Sequence, residues 1–291
     1  MHATSEIRTR DGRNIGMCCY IPELDNGRLM IIAPTGQATQ DFYLPIAKFF
    51  KQQGFVVITF DYRGMGESAP DQLKGFEASM HQWAVQDIDA VILYARQHFP
   101  QREIVYLGHC IGGEIVGLAQ ASQYIGRLIL INSSLSCKKY WPFRERFRVV
   151  ASRAVIRMLT LIYGYFPGKK LGMLKDMPKG VMYEWASWCS QSNGLFDKFP
   201  DNNYRKLQIP IMAFSFSDDR RCPPRAVEEL LNRFSNSAII WNHLEPADVG
   251  MDKVGHWGFF QPIMQTTLWN TLLQWLNRDE RKQVVKSITN Q

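Results

Sequence analysis

Several motifs that would assign a function directly are absent from this chain of 291 residues. It has no G-x-G-x-x-G and no Gly-Lys-Ser/Thr sequence, so neither a dinucleotide-binding fold nor a P-loop is indicated. Its six cysteines include no C-x-x-C pair, which argues against a zinc site and a disulfide scaffold. We therefore expect free thiols, no metal and no cofactor.

The chain also has little of what a membrane protein needs. Its longest apolar stretch, residues 149–166, contains Arg153 and Arg157 and is a poor candidate for a transmembrane helix. Residues 1–16 have neither the apolar core nor the cleavage pattern of a signal peptide. The sequence therefore predicts no membrane span and, by default, a cytoplasmic location.

Positive charge is in modest excess, with a formal net charge of +7. The basic residues are scattered, and no zinc-finger or RNA-binding motif accompanies them. Hydrophobic residues make up 46% of the chain and charged residues 21%, which is typical of a globular protein. We interpret the excess as a solvated basic surface and predict no nucleic-acid partner.

Short apolar, β-branched runs alternate with helical patterns along the chain. A hairpin is predicted around Asp11-Gly12. Six further runs are typical of strands buried on both faces: residues 28–35, 55–62, 104–109, 127–134, 209–217 and 238–244. Helical patterns cover residues 41–54, 76–99, 113–124, 224–234 and 261–281. This alternation predicts an α/β fold, with a mostly parallel eight-stranded sheet and helices on both faces.

One gap breaks this alternation. Between Ser134 and Ile209 lie about seventy residues of mainly helical, aromatic-rich sequence, far more than an ordinary connection between strands. We predict a core made of residues 1–136 and 206–291. Residues 137–205 would form an inserted helical lid over the carboxyl ends of the strands, where ligands bind in open α/β sheets.

The stretch Gly108-His109-Cys110-Ile111-Gly112 ends a predicted strand and precedes a predicted helix. This pattern is typical of a nucleophile elbow, with cysteine in place of the commoner serine. The flanking glycines let strand and helix approach each other around a sharp turn with strained backbone angles. The pattern predicts that Cys110 is a nucleophile exposed above the edge of the sheet.

The partners of such a nucleophile follow in the order acid, then histidine. Asp218 and Asp219 come directly after the predicted strand 209–217, and both are candidates for the acid. His256 lies beyond the last predicted strand and is the candidate base. The order and the loop positions both fit a Cys-His-Asp triad.

Beyond GHCIGG, the chain contains Asp61-Tyr62-Arg63-Gly64-Met65-Gly66-Glu67-Ser68, which is similar to a D-x-R-G-x-G-x-S turn of the α/β-hydrolase superfamily. The chain resembles that superfamily over nearly its whole length, and the lid sequence resembles a poorly characterised bacterial branch of predicted hydrolases. The resemblance implies an α/β-hydrolase fold. It favours Asp219 as the acid, since residues 219–223 match the family's Asp-x-x-x-Pro pattern.

The same resemblance implies an oxyanion hole formed by two main-chain N–H groups. In this sequence these belong to Ile111, directly after the nucleophile, and to Gln37 in the loop after the third strand. Dienelactone hydrolases also use a Cys-His-Asp set, and polyhydroxyalkanoate synthases have a G-x-C-x-G-G box like residues 108–113.

We therefore expect a hydrolase that acts on a small-molecule carboxylic ester or thioester, free or carrier-bound, through a covalent acyl-enzyme. Two alternatives stay open. The same triad could serve an acyltransferase or a chain-releasing or cyclising enzyme, because a thioester intermediate is open to acceptors other than water. A retired fold that serves as a binding or scaffold protein is the other alternative.

Overall fold

The computed structural model describes residues 2–141 and 143–278. Eight strands form one sheet in the order β1-β2-β4-β3-β5-β6-β7-β8. Their bounds are β1 His2–Arg8, β2 Asn14–Tyr20, β3 Arg28–Ala33, β4 Val56–Phe60, β5 Glu103–His109, β6 Ile125–Ile131, β7 Ile211–Phe216 and β8 Ile239–Leu244. β2 pairs antiparallel with β1 and β4, and every other pair is parallel. The predicted mostly parallel eight-stranded sheet is confirmed.

The central strands are apolar throughout because both of their faces are buried. In β3, Leu29 and Ile31 face one core, whereas Met30 and Ile32 face the other. Residues that alternate along a strand point to opposite faces, so a strand covered on both sides needs an unbroken apolar run. This is why these strands were recognisable in the sequence.

Helices cover both faces of the sheet, as predicted. Their bounds are α1 Leu44–Gln52, α2 Met80–Gln82, α3 Asp89–His98, α4 Ile111–Glu114, α5 Phe143–Tyr163, α6 Lys179–Trp188, α7 Pro224–Leu231 and α8 Leu268–Leu276. A π-helical turn, Trp83–Ile88, joins α2 to α3. α1 and α8 pack on one face, and α3 packs on the other. The helix predicted at 261–281 contains α8, and its last residues lie outside the described residues.

The helix predicted for residues 113–124 is wrong. Only α4 is α-helical there, and the rest forms the 3-10 turns Val116–Leu118 and Gln120–Tyr124. A Cβ on Gly117 would lie within 2.6 Å of the Tyr204 ring, and the Gly117 carbonyl accepts the Asn203 N–H at 2.7 Å. This packing against a distant part of the chain replaces the helical hydrogen-bond pattern.

Residues 137–205 contain α5, α6 and the 3-10 turn Gly194–Asp197, and they bury side chains such as Val181 and Trp188 in the core on the α3 face. Phe166 and Met177 form a two-residue antiparallel bridge within this segment. No helix in the described part of the chain is both long and apolar enough to span a bilayer.

The D-x-R-G-x-G-x-S turn is tied to the core by a buried ion pair. The Arg63 and Asp87 side chains are 1% and 0% exposed, and Arg63 Nη2 lies 2.7 Å from Asp87 Oδ1. Asp87 also accepts hydrogen bonds from the Arg63 N–H at 2.9 Å and from Nε at 2.8 Å. Arg63 is therefore anchored by three contacts to one carboxylate.

Removing this carboxylate should destabilise the protein. We expect Asp87→Ala to lower the free energy of unfolding in urea by about 3 kcal/mol, because it removes the fully buried carboxylate partner of Arg63 and leaves only the more exposed Asp11. The exposed Asp25, which pairs with Arg102, provides the control. Asp25→Ala should cost less than about 1 kcal/mol. Equal losses in the two variants would contradict the anchoring role of Asp87.

Candidate functional site

Cys110 lies on a strained turn between β5 and α4. Its backbone angles are φ +54° and ψ −115°, in a region that residues other than glycine rarely adopt. Its N–H donates to the Ile131 carbonyl at 2.9 Å, and its carbonyl accepts the N–H groups of Gly113 and Glu114 at 3.1 and 3.0 Å. These bonds hold the turn in place, and the thiol is partly exposed.

The glycines around Cys110 permit this turn. A Cβ on Gly108 would lie 2.5 Å from the Cα of Gly113, and a Cβ on Gly112 would lie 2.6 Å from the Ala33 carbonyl oxygen. Either side chain would collide with backbone rather than with a movable group. The close approach of α4 to β5 and to the end of β3 therefore requires these small residues.

The two residues expected to donate main-chain N–H groups lie on adjacent elements. Ile111 is the first residue of α4, so its N–H has no partner within the helix. Gln37 lies in the loop after β3, which pairs with β5 so that Ala33 stands opposite Gly108. The loop of Gln37 therefore starts beside the Cys110 turn. The Gln37 side chain accepts a hydrogen bond from Arg221 Nη1 at 3.3 Å.

His256 and Asp219 meet at the carboxyl edge of the sheet. The distance from His256 Nδ1 to Asp219 Oδ2 is 2.7 Å, and the two side chains are 5% and 1% exposed. Because Asp219 is a carboxylate, Nδ1 is the donor, which leaves Nε2 free to accept or donate a proton. The second oxygen of Asp219 accepts the Arg221 N–H at 2.9 Å.

The alternative acid, Asp218, does not contact the His256 ring. Its carboxylate accepts the N–H groups of Val254 and Gly255, each at 2.9 Å. The prediction that left Asp218 open as a partner of His256 is therefore corrected. Consecutive side chains beyond the end of β7 point in different directions, so one aspartate reaches the imidazole and the other holds the loop that carries it.

The surroundings of His256 raise the pKa of its imidazole. Burial, the largest single effect, lowers its pKa. Cys110 and Asp219 outweigh burial, each through its charge and through a hydrogen bond. Together they raise the pKa of His256 to about 9. The elements that carry the two residues also meet, because His109, directly before Cys110, has its ring centroid 4.9 Å from that of His256.

Three polar residues to which the sequence patterns assign no role support these loops. The Tyr43 hydroxyl accepts the Thr35 N–H at 2.9 Å and contacts His109 Nδ1 at 2.8 Å. His109 Nε2 lies 3.0 Å from the His256 carbonyl oxygen, which Asn132 Nδ2 also contacts at 3.1 Å. His109 is the last residue of β5 and Asn132 directly follows β6, so both polar residues come at the end of an apolar run. A polar residue in that position is the sequence signal that could have identified them.

Burial is also the main reason that the pKa of His109 lies well below its usual value. The ring is therefore neutral, with one nitrogen as donor and the other as acceptor. Since Nε2 faces a carbonyl oxygen, it carries the proton, and Nδ1 accepts from Tyr43. The network thus connects the loop after β3 to the loop of His256 through one fixed tautomer.

Comparison with known proteins places the chain in a family. A family model described as serine aminopeptidase, S33, matches residues 27–192, which is more than half of the chain. The chain belongs to this family of α/β hydrolases. The resemblance predicted from the sequence is confirmed, and the protein is an enzyme of this class. The family description names a serine, whereas this hydrolase has Cys110 at the strained turn. No curated protein matches the chain significantly.

Solved structures with the same fold include several esterases. A carboxyl esterase from Bacillus coagulans aligns with a TM-score of 0.68 and 13% identity over 95% of this chain and 98% of that one. The α/β hydrolase GrgF from Penicillium gives 0.63 and 19% over 95% and 97%. An esterase from Pyrococcus furiosus gives 0.61 and 15% over 94% and 89%. At these identities the likeness shows the α/β-hydrolase fold alone.

The pKa of His256 can be measured by NMR titration of the histidine ring. We expect a value near 9 in the native hydrolase. Asp219→Asn should lower the pKa by about 1 or more, because it removes the carboxylate that favours the charged ring. The control is Asp252→Asn, which removes an exposed carboxylate from the same loop and should leave the pKa nearly unchanged. A pKa at or below 6.5 in the native protein would show that Cys110 and Asp219 do not stabilise the charged ring.

The raised pKa of His256 also makes the stability of the folded protein depend on pH. The folded protein binds this proton more tightly than the unfolded chain does, so the contribution to stability is complete below about pH 6.5 and is lost as the pH rises through about 9.

Proposed function

We propose that this α/β hydrolase cleaves a carboxylic ester or thioester through a covalent acyl-enzyme, with Cys110 as nucleophile, His256 as base and acid, and Asp219 as the residue that orients the imidazole. One observation carries the proposal. A thiol lies on a strained turn whose preceding residue, His109, contacts the His256 carbonyl oxygen, and Nδ1 of the His256 imidazole is bound to a buried carboxylate. A nucleophile, a base and an orienting acid are the three parts of such a triad.

In the first half of the reaction, the Cys110 thiolate attacks the carbonyl carbon and forms a carbon–sulfur bond. The N–H groups of Ile111 and Gln37 would stabilise the negative oxygen of the tetrahedral intermediate. The intermediate then collapses and breaks the bond to the leaving alcohol or thiol. His256 Nε2 gives that group its proton, so the imidazole is neutral when the acyl-enzyme is complete.

In the second half, the neutral His256 takes a proton from water as the water oxygen attacks the acyl carbon. The carbon–sulfur bond breaks, the carboxylic acid leaves, and the thiolate and imidazolium are restored. Asp219 keeps the same hydrogen bond to Nδ1 throughout and stabilises the imidazolium whenever it forms.

A cysteine suits this site because a thiol needs little activation. Its unperturbed pKa is about 8.5, far below that of a serine hydroxyl. The environment that raises the pKa of His256 to about 9 keeps the imidazole protonated at neutral pH, as the proposed thiolate–imidazolium pair requires.

Residues 137–205 serve in this proposal as a lid over the site. A Cβ on Gly36, next to Gln37, would lie 3.2 Å from Met177 Cε, so the segment reaches the loop that would hold the oxyanion. The start of the segment is fixed by the Lys138 N–H, which donates to the Cys189 carbonyl at 2.9 Å. A lid in this position would limit the size of the acyl group and exclude water.

An ester or thioester fits the site better than a peptide. An aminopeptidase needs a carboxylate to bind the substrate's amino terminus, but Asp219 is bound to His256 and Asp218 to two backbone N–H groups. The proteins from Bacillus coagulans and Pyrococcus furiosus that share the fold are both esterases, which supports the same choice. We therefore propose a small-molecule acyl substrate, free or carrier-bound.

Replacing the nucleophile tests the proposal. Cys110→Ala should reduce hydrolysis of para-nitrophenyl esters and acyl thioesters by about a thousandfold or more. Intact-mass spectra of the native protein should show an acyl adduct on Cys110. The control, Cys19→Ala, removes a buried thiol on β2 and should keep activity within a few-fold. Full activity in Cys110→Ala would exclude the triad, and an acyl group passed to added amines or alcohols instead of water would identify a transferase.

The pH dependence of kcat/KM should have a falling limb near pH 9. Above that pH His256 loses the proton that the leaving group needs. Asp219→Asn should move the limb to lower pH, because the lost carboxylate favours the protonated ring. An isolated thiol would instead become more reactive as the pH rises through about 8.5. A rate that increases steadily to pH 10 would therefore argue against the thiolate–imidazolium pair.

A further inference from the structure

Arg221 lies at the rim of the site, two residues after Asp219. We propose that its guanidinium binds an anionic group of the substrate, a carboxylate or a phosphate, and so makes this hydrolase selective for negatively charged esters or thioesters. The inference rests on the proposed function, since it names the class of substrate for that same site.

Contacts with three loops hold Arg221 in place. Its backbone N–H donates to Asp219 Oδ1 at 2.9 Å, and its Nη1 donates to the Gln37 side chain at 3.3 Å. Its Cζ lies 5.7 Å from the centroid of the Trp257 ring, in a cation–π contact. The guanidinium therefore contacts the loop of the proposed oxyanion donor and the residue next to His256, while the backbone of Arg221 is bonded within the acid loop.

No acidic side chain in the described part of the chain neutralises the charge of Arg221. Among the ion pairs formed within residues 2–141 and 143–278, none includes Arg221. The two nearest aspartates along the chain, Asp218 and Asp219, are bound to backbone N–H groups and to His256. Arg221 is also exposed, so its charge faces solvent at the mouth of the site.

The chemistry of the guanidinium indicates the ligand. It carries five N–H donors in a planar fork, and one of them is used by Gln37. The others can form paired hydrogen bonds with two oxygens of one carboxylate or phosphate. Stacking on Trp257 limits the rotation of the side chain, so less conformational entropy is lost when an anion binds. Arg220, also exposed, has none of these contacts and is the natural control.

The first test measures alkylation of Cys110, which requires no turnover. Iodoacetate is anionic and iodoacetamide is a neutral reagent of nearly the same shape, so the ratio of their rates reports the charge at the rim. We expect Arg221→Gln to lower the iodoacetate-to-iodoacetamide ratio at Cys110 at least fivefold, Arg221→Lys to keep most of it, and Arg220→Gln to change it less than twofold.

The second test compares matched substrates and shows which part of the substrate carries the charge. Para-nitrophenyl hydrogen succinate against para-nitrophenyl pentanoate places the anion on the acyl group. Butanoyl coenzyme A against butanoyl-N-acetylcysteamine places it on the leaving group. In at least one pair, Arg221→Gln should lower kcat/KM for the anionic member about tenfold, mainly through KM, and change the neutral member less than twofold.

These results distinguish substrate selection from a structural role. If Arg221→Gln slows anionic and neutral reagents equally, Arg221 only supports the oxyanion loop and the inference is wrong. The same holds if Arg220→Gln has an equal effect, because a diffuse surface charge would then suffice. A protein that alkylates with the predicted ratio but hydrolyses nothing would contradict the proposed function and leave the anion site standing.

Discussion

The hydrogen bond between His256 and Asp219 is the contact on which the rest of the site depends. It buries a carboxylate that has little access to water, and it fixes which imidazole nitrogen faces Cys110. Neighbouring contacts hold the backbone of His256 in position and so maintain this bond. Asp218 holds the backbone just before His256, and His109 and Asn132 both bind its carbonyl oxygen. The position of the ring is thus determined by three strands of the sheet.

Cys110 adds a second constraint, since its backbone conformation costs about 1–3 kcal/mol. The structure offsets that cost through the backbone bond to Ile131 and through the tight packing of Gly108 and Gly112. Strain and support therefore lie on the same few residues. The parallel register of β3 and β5 then brings the start of the loop after β3, which carries Gln37, beside the Cys110 turn.

Local sequence patterns predicted most of the fold, and they also indicated the three residues of the proposed triad. The strands were recognisable because burial on both faces demands unbroken apolar runs, and Cys110, Asp219 and His256 were recognisable from their order and loop positions. The failures depend on contacts between distant residues. Gly117 packs against Tyr204 within the segment where a longer helix was predicted, and the choice between Asp218 and Asp219 depends on where each side chain points. No local pattern contains that information.

Activation of Cys110 by His256 underlies the whole proposed reaction, and it can be followed through the second-order rate constant for reaction of Cys110 with iodoacetamide at neutral pH. We predict that Cys110 in the native protein reacts faster than free cysteine, whose thiol is mostly protonated at that pH. We also predict that His256→Ala removes this advantage, while the fold, followed by circular dichroism, is retained. A native Cys110 that reacts no faster than free cysteine, or no faster than in His256→Ala, would contradict the activation of the thiol by the imidazole.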